Sequence, residues 1–282
     1  MTTITAADIC AFLDEAGRLR RLVAATPAIP AETVVAGVAP DTGAGFGDAA
    51  WSRSPSAWIA FHGALLLAPA TDVDLPDAYP PRPGRVLAAC DNPRLAMAQV
   101  VERFFAHLAA DREPELADAD MAAEIARLGA WVMNARLGRD VLLGPHCAIG
   151  CSGMGYERAP DGRWVRFPQL GGVVVEDDVH IAAHATIQRG ALGDTLIRRG
   201  TRIGPHANVG HNVVIGEDVL IAGHAQVGGG AHVGRGAVVW QSAVVANGVF
   251  VGDGAVIGMS AAVRKDVPAG EVWAGNPARK IR

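Results

Sequence analysis

The sequence predicts a mainly β protein, a solenoid of six-residue repeats that follows a small N-terminal α/β domain. Two periodic observations carry this expectation, and a change of character upstream of them marks the boundary. From residue 197 an aliphatic residue returns every six positions, through Ile197, Ile203, Val209, Ile215, Ile221, Val227, Val233, Val239, Val245, Val251 and Ile257. Small residues stand two positions before many of these, at Ala207, Ala225, Ala231, Ala237 and Ala243. A period of six fits neither a helix at 3.6 nor the alternation of a flat strand. It fits a short strand plus a corner. Three such units close a triangular coil of about 18 residues, and successive coils stack at about 4.8 Å. The aliphatic residue then points inward with the small one beside it.

Upstream, Leu137, Leu143 and Ile149, then Val175, Ile181 and Ile187, keep the same beat. Two insertions break phase: 20 extra residues between Ile149 and Val175, and four between Ile187 and Ile197. Residues 114–136 read as a helix or as degenerate first coils; Ile125 and Trp131 keep the six-step, which favours coils. Nearer the N-terminus, Thr5 to Asp8 reads as a capping box opening a helix with Ile9, Phe12 and Leu13 on one side. Asn92-Pro93 reads as a cap with proline at the first helical position. Leu95, Val100, Val101, Phe104, Phe105 and Leu108 would form that helix's buried stripe. Apolar runs at 33–38, 58–67 and 85–89 suit short strands. The expected organisation is an N-terminal α/β domain over 1–113, a β-helix over 114–263 and a C-terminal tail over 264–282.

Composition narrows the function classes. Lys plus Arg total 25 against 29 Asp plus Glu, a formal charge of −4 in 282 residues. A nucleic-acid binder would need a basic face to displace phosphate counterions, so none is expected. Hydrophobic residues make up 50%, too many for a disordered chain, and aromatic residues only 5%, so small aliphatics must fill the core. No apolar run reaches the roughly 18 residues of a membrane span. The start lacks a basic n-region and meets Asp8 early, and the four cysteines (Cys10, Cys90, Cys147, Cys151) form no redox or zinc spacing. A cytoplasmic protein is expected.

Nine histidines are the candidate chemical groups. His180 and His232 directly precede an inward aliphatic and should face solvent. His146, His184, His206 and His224 each lie three past one and should form a ladder on one outer edge. That ladder would face solvent or a neighbouring subunit, contact substrate, or take up an adventitious metal at His206 and His224. Cys147 sits at a small inward position and reads as packing. His211, in VGHNVVIG (209–216), is the preferred general base. An imidazole ordinarily titrates near 6.5 and can take a proton from an attacking amine or hydroxyl at neutral pH.

The segments GMGYERAPDGRWVRFPQLGGVVV (153–175), TIQRGALGDT (186–195) and VGHNVVIG (209–216), in that order, resemble the UDP-3-O-acylglucosamine N-acyltransferase family of the lipid A pathway. The resemblance implies a left-handed parallel β-helix, assembled as a homotrimer with its active site between subunits. It implies His211 as general base and the backbone N–H of Gly229 as oxyanion donor. Asn212, His206, His224 and Tyr156 are expected near the substrate. The resemblance also implies no metal and no cofactor beyond an acyl thioester co-substrate. The family's uracil-contacting Asn-Pro-Lys-Tyr stands here as Ser54-Pro55-Ser56-Ala57, which would leave Trp51 or Trp58 as the stacking aromatic beside Ser54. The family's acidic residue before its Arg-Gly is Gln188 here, and a later substrate-site histidine is Val249. The family's C-terminal helical extension is not expected. The closing VWAGNPARKIR (272–282) instead resembles coenzyme A-dependent acetyltransferases of the same repeat, which would place Asn276 and Arg279 at the donor.

The leading expectation is therefore an acyltransferase that makes an amide on a UDP-linked glucosamine derivative, using acyl carrier protein or coenzyme A as donor. A coenzyme A-dependent N- or O-acetyltransferase with another small-molecule acceptor is the alternative. A zinc enzyme of the γ-carbonic anhydrase type would carry a second histidine where this chain has Gly216. A pure scaffold would need neither insertion.

Overall fold

A computed structural model of the chain describes residues 3–24, 33, 35–39, 48–52, 61, 63–70 and 84–282. The chain forms two compact units. One holds the residues up to 110 together with 154–168, and the other holds 111–153 and 169–282.

In the first unit the capping box forms as the sequence specifies. Thr5 Oγ1 accepts the Asp8 N–H at 3.2 Å, and the Asp8 carboxylate accepts the Thr5 N–H at 2.8 Å. Helix α1 (Ala6–Glu15) buries Ile9, Cys10 and Leu13, and Phe12 meets Phe104 edge-on at 5.6 Å. Helix α2 (Pro93–Phe104) opens where Asn92 Oδ1 accepts the Leu95 N–H at 3.0 Å. Leu95, Val100, Val101 and Phe105 are buried. Leu108 is not on the stripe: the backbone leaves the α-helical region at Phe105, so Leu108 falls in a following 3-10 turn and is exposed. Five strands, β1 (Leu19–Ala24), β2 (Gly37–Val38), β3 (Asp48–Trp51), β4 (Leu65–Pro69) and β5 (Val86–Cys90), form a sheet in the order β1-β5-β4-β3-β2. Only β1 is antiparallel to its neighbour. β4 and β5 are buried almost throughout, as expected of parallel strands covered on both faces. The excursion 154–168 adds a hairpin, Tyr156–Arg158 paired with Trp164–Arg166.

The second unit is the expected β-helix, a left-handed parallel solenoid with three sheets as the faces of a prism. One face stacks Leu137, Val175, Ile197, Ile215, Val233 and Val251. The second stacks Leu143, Ile181, Ile203, Ile221, Val239 and Ile257. The third stacks Val132, Ile149, Ile187, Val209, Val227, Val245 and Val263. The inward aliphatic residues stay in register across both insertions, with one irregularity between Ile149 and Cys151 where the long insertion begins, so each leaves the prism as a loop without turning an inward aliphatic outward. Ala207, Ala225, Ala231, Ala237, Ala243 and Cys147 are buried beside the aliphatic column.

The top of the prism corrects the expectation for 114–136. Leu116 pairs in register with Leu137, and the chain then forms helix α3 (Met121–Leu128) where a strand of the second face would stand, before Val132 resumes the third face. Ile125 is therefore helical, and Trp131 lies one position before the inward Val132 and is exposed. Gly129 ends α3 at φ +60°, the left-handed conformation a helix C-terminus favours. At the foot, Val272–Ala274 pairs beneath Val256–Ile257, and Arg279–Lys280 folds back antiparallel on it.

A further regularity lies at the corners. Away from the two insertions and the ends of the prism, the residue three past the inward aliphatic has positive φ, including Asp140, His146, Asp178, His184, His206, Asn212, Asp218, His224, Ser242 and Ser260. Glycine fills the same position at 200, 230, 236, 248 and 254. Asn, Asp and His are the non-glycine residues that tolerate this region best.

Candidate active site

The register fixes where His211 stands. Ile187, Val209, Val227 and Val245 stack on the third face, so the residues two past them occupy one corner of the prism. These are Arg189, where the short insertion begins, then His211, Gly229 and Asn247. The long insertion begins at Cys151, which pairs with Gln188 across a register shift and whose carbonyl accepts the Arg189 N–H at 2.9 Å. The roots of both insertions thus lie above His211.

The imidazole is held on one side and open on the other. Its Nδ1 lies 3.1 Å from Asn212 Oδ1. The Asn212 amide orientation follows from its other partners: Oδ1 accepts the Ala191 N–H at 2.8 Å, and Nδ2 donates to the Gly193 carbonyl at 2.9 Å. An oxygen facing Nδ1 requires Nδ1 to carry the proton, which leaves Nε2 with a free lone pair. Asn212 itself sits at φ +59°, and its N–H donates to Thr195 Oγ1 at 2.9 Å. One side chain therefore sets the tautomer of His211 and ties the short insertion to it.

Nε2 points to the coil below. A methyl placed on Gly229 would lie 2.7 Å from Nε2, closer than such contacts occur, so only glycine leaves the ring this position. No hydrogen bond among the described residues engages the Gly229 N–H. Above the ring, a methyl on Gly153 would meet His211 Cδ2 at 3.0 Å and Gln188 Oε1 at 2.9 Å. The backbones of Gly153 and Gly229 thus wall the imidazole, with the Gln188 amide beside Gly153.

Sequence reasoning missed Arg189 as a structural pin. It is almost fully buried, donating from Nε to the Gly171 carbonyl at 2.6 Å and from Nη2 to the Leu170 carbonyl at 3.2 Å, with Asp111 3.6 Å from Nη1. Burial, with Arg112 nearby, pushes its pKa down from the ordinary arginine value. It joins the root of the long insertion to the root of the short one. The readable signal was an arginine at a position otherwise occupied by small or solvent-facing residues.

The other expected site residues fall in separate places. His146, His184, His206 and His224 form the expected ladder, with ring centroids 5.3, 4.8 and 4.9 Å apart and all four exposed. They occupy left-handed corners, which supplies a conformational reason for histidine there. His180 is exposed, and His232 stacks on Phe250 at 5.0 Å. Asn276 and Arg279 lie at the foot of the prism, exposed. The strand leading to them is four strand spacings, about 19 Å, below that of Ile203, so one protomer does not bring them to His211. In the first unit Trp51 lines a cleft of about 270 Å³ with Ser52, Asn92, Arg94 and Glu157. Arg94 pairs with Glu157 there, and its guanidinium stands 5.5 Å over the Phe167 ring. Tyr156 is exposed on the hairpin, and Ser54 and Trp58 lie outside the described residues. Among the described residues, no group of three or more His, Cys, Asp or Glu is placed to hold a metal ion, and no helix is long and apolar enough to cross a membrane.

Comparison with known proteins agrees with the repeat. The bacterial transferase hexapeptide (six repeats) family matches residues 194–229. A UDP-3-O-acylglucosamine N-acyltransferase of Rhizobium meliloti is 42% identical over 154 residues, which is 55% of this chain and 44% of that protein. One from Francisella tularensis is 48% identical over 69 residues, 24% of this chain and 20% of that protein. The chain thus spans under half the length of these curated relatives. Among solved structures, a UDP-N-acetylglucosamine O-acyltransferase of Moraxella catarrhalis aligns at 20% identity with a TM-score of 0.47, covering 60% of this chain and 69% of its own. The second unit is a hexapeptide-repeat solenoid whose sequence is similar to that of the UDP-3-O-acylglucosamine N-acyltransferases.

Proposed function

We propose that this chain is an acyltransferase that moves an acyl group from a thioester to the amine of a nucleotide-linked amino sugar, with His211 as general base. One observation carries the reading: an imidazole whose Nδ1 is held by Asn212 and whose Nε2 stands close beside Gly229, a residue whose N–H makes no hydrogen bond among the described residues. The sugar amine attacks the thioester carbonyl carbon while Nε2 takes the amine's proton. The carbonyl oxygen becomes an oxyanion, and the Gly229 N–H donates to it. The intermediate collapses to the amide, and the leaving thiolate takes the proton back from the imidazolium. No covalent enzyme intermediate and no metal are needed in this scheme.

The working assembly is a homotrimer in the cytoplasm, with His206 and His224 contacting the acceptor across a subunit boundary. Exposed apolar side chains on the second unit (Leu142, Trp240, Val244, Phe250 and Met259) support burial of prism surface between copies. The cleft at Trp51 takes the nucleotide, with the indole offered to the base.

His211→Ala should lower kcat by at least about 100-fold, the usual scale for losing a general base. The assay uses UDP-glucosamine derivatives with the acyl group supplied on carrier protein or on coenzyme A. Near-normal turnover in that variant would remove His211 from the mechanism.

A further inference from the structure

We infer that the outer face of the 156–166 hairpin is the docking surface for an acidic protein, the carrier that presents the acyl thioester. This rests on the acyltransferase reading above and adds the partner to it. The pairing sets Tyr156 opposite Arg166 and Arg158 opposite Trp164. Residues directly opposed, or two apart on one strand, share a face, so all four side chains stand on the same side. Glu157 and Val165 take the other side, where Glu157 pairs with Arg94. The shared face is a checkerboard of two rings and two guanidinia, extended by Met154 just before the hairpin.

Its exposure is unusual. Trp164 is 61% exposed, Met154 83% and Tyr156 40%. Arg158 lies 4.4 Å over the Trp164 ring and donates to the Gly162 carbonyl, while Arg163 is paired with Asp161 at 2.7 Å. Neither Arg158 nor Arg166 meets a carboxylate among the described residues. Trp, Tyr, Arg and Met are the residue types enriched at protein interfaces, and the first three dominate their binding energy. A small ligand would need a concave pocket, whereas a two-stranded face offers a flat one. Two unpaired cations on a chain with a net charge of −4 are a local reversal of sign, which selects an acidic partner and speeds its encounter.

The test compares the full-length chain with the Arg158→Glu/Arg166→Glu double variant, and with Arg158→Gln/Arg166→Gln as the milder pair. The probes are an acyl carrier protein bearing a 3-hydroxyacyl group and the same acyl group on coenzyme A. Carrier binding is read by biolayer interferometry, separately from turnover. The expected result is at least tenfold weaker carrier binding and a matching rise in KM for carrier-borne acyl in the Glu pair. A smaller effect is expected in the Gln pair, with kcat and KM for acyl-coenzyme A unchanged. The proposal is overturned if the wild-type chain does not bind the carrier, if the variants bind it equally, or if both donors suffer alike. A change of oligomeric size in the Glu pair would also overturn it, because the face would then join copies of this chain. Weakened carrier binding without turnover by the wild-type chain on either donor would leave the dock standing and remove the acyltransferase reading.

Discussion

Gly229→Ala separates the geometry of the site from its stability. The added methyl would stand 2.7 Å from His211 Nε2, against about 3.4 Å for an ordinary contact, so the ring must retreat by roughly 0.7 Å. Asn212 opposes any rotation that keeps Nδ1 bonded, because its oxygen is also held by Ala191 and its nitrogen by Gly193. The base therefore moves relative to the amine, and a displacement approaching 1 Å typically costs on the order of 100-fold in rate, about 2.7 kcal/mol of barrier. Gly229 does not have positive φ, so its backbone accepts alanine without strain. The neighbouring Gly230 supplies the control. It has φ +69° and open space around its Cα, so Gly230→Ala should cost roughly 1 kcal/mol of stability and leave the ring untouched. Steady-state kinetics and urea unfolding of both variants form the assay. The expected pattern is lost kcat with an unchanged unfolding midpoint for Gly229→Ala, and the converse for Gly230→Ala. Full kcat in Gly229→Ala would show that Nε2 is not the working atom.

Asn212→Gly keeps the left-handed backbone and removes the side chain, so kcat should fall at least tenfold while amide exchange at 189–194 quickens; unchanged exchange would mean that the short insertion is held elsewhere. Ile215→Asp places an unpaired carboxylate in the fully buried column, which should abolish soluble assembly, and gel filtration of a normal species would contradict the inward assignment. Burial pushes the Cys10 and Cys90 thiols up to about 12 and Cys147 to about 11. At pH 8 these three should stay unreactive to a disulfide reagent in the native protein and react once it is unfolded, half-buried Cys151 being the first to respond. Asp8 is held below the ordinary aspartate range by its hydrogen bonds to Thr5. Its folded pKa is thus the lower one, so its contribution is present above about pH 4 and lost as pH falls through the folded value; NMR exchange of the Thr5 amide should show the cap opening only on acidification.

The parts of the fold that were legible are those fixed by a repeated burial requirement. An aliphatic residue every sixth position leaves one way for Ile203, Val209 and Ile215 to share an interior, and the insertions could be subtracted because they disturb phase rather than pattern. The top coil was misread because Ile125 and Trp131 satisfy the six-step by coincidence. Periodicity over two residues cannot tell a strand from the apolar side of a short helix, and Gly129, the terminator of α3, was the signal available. The strands Leu19–Ala24 and Asp48–Trp51 were missed because one is rich in arginine and the other is short and small. At the site, His211 was readable from its neighbours in sequence. The roles of Asn212, Gly153 and Arg189 were not, because they arise from coils stacked 18 or more residues apart. The left-handed corners were present in the sequence as a second hexad of Gly, Asn, Asp, His and Ser, and they give the histidine ladder a backbone explanation that needs no ligand.

Helix α3 has a consequence for solubility. A bare solenoid ends in rows of unpaired amides and carbonyls, and two such ends can join by the same ladder that joins coils within one molecule, growing into a filament. With Met121–Leu128 standing over one face of the top, and Arg279–Lys280 turned antiparallel under one face of the foot, neither end presents the full triangle of open strands that such polymerisation would copy.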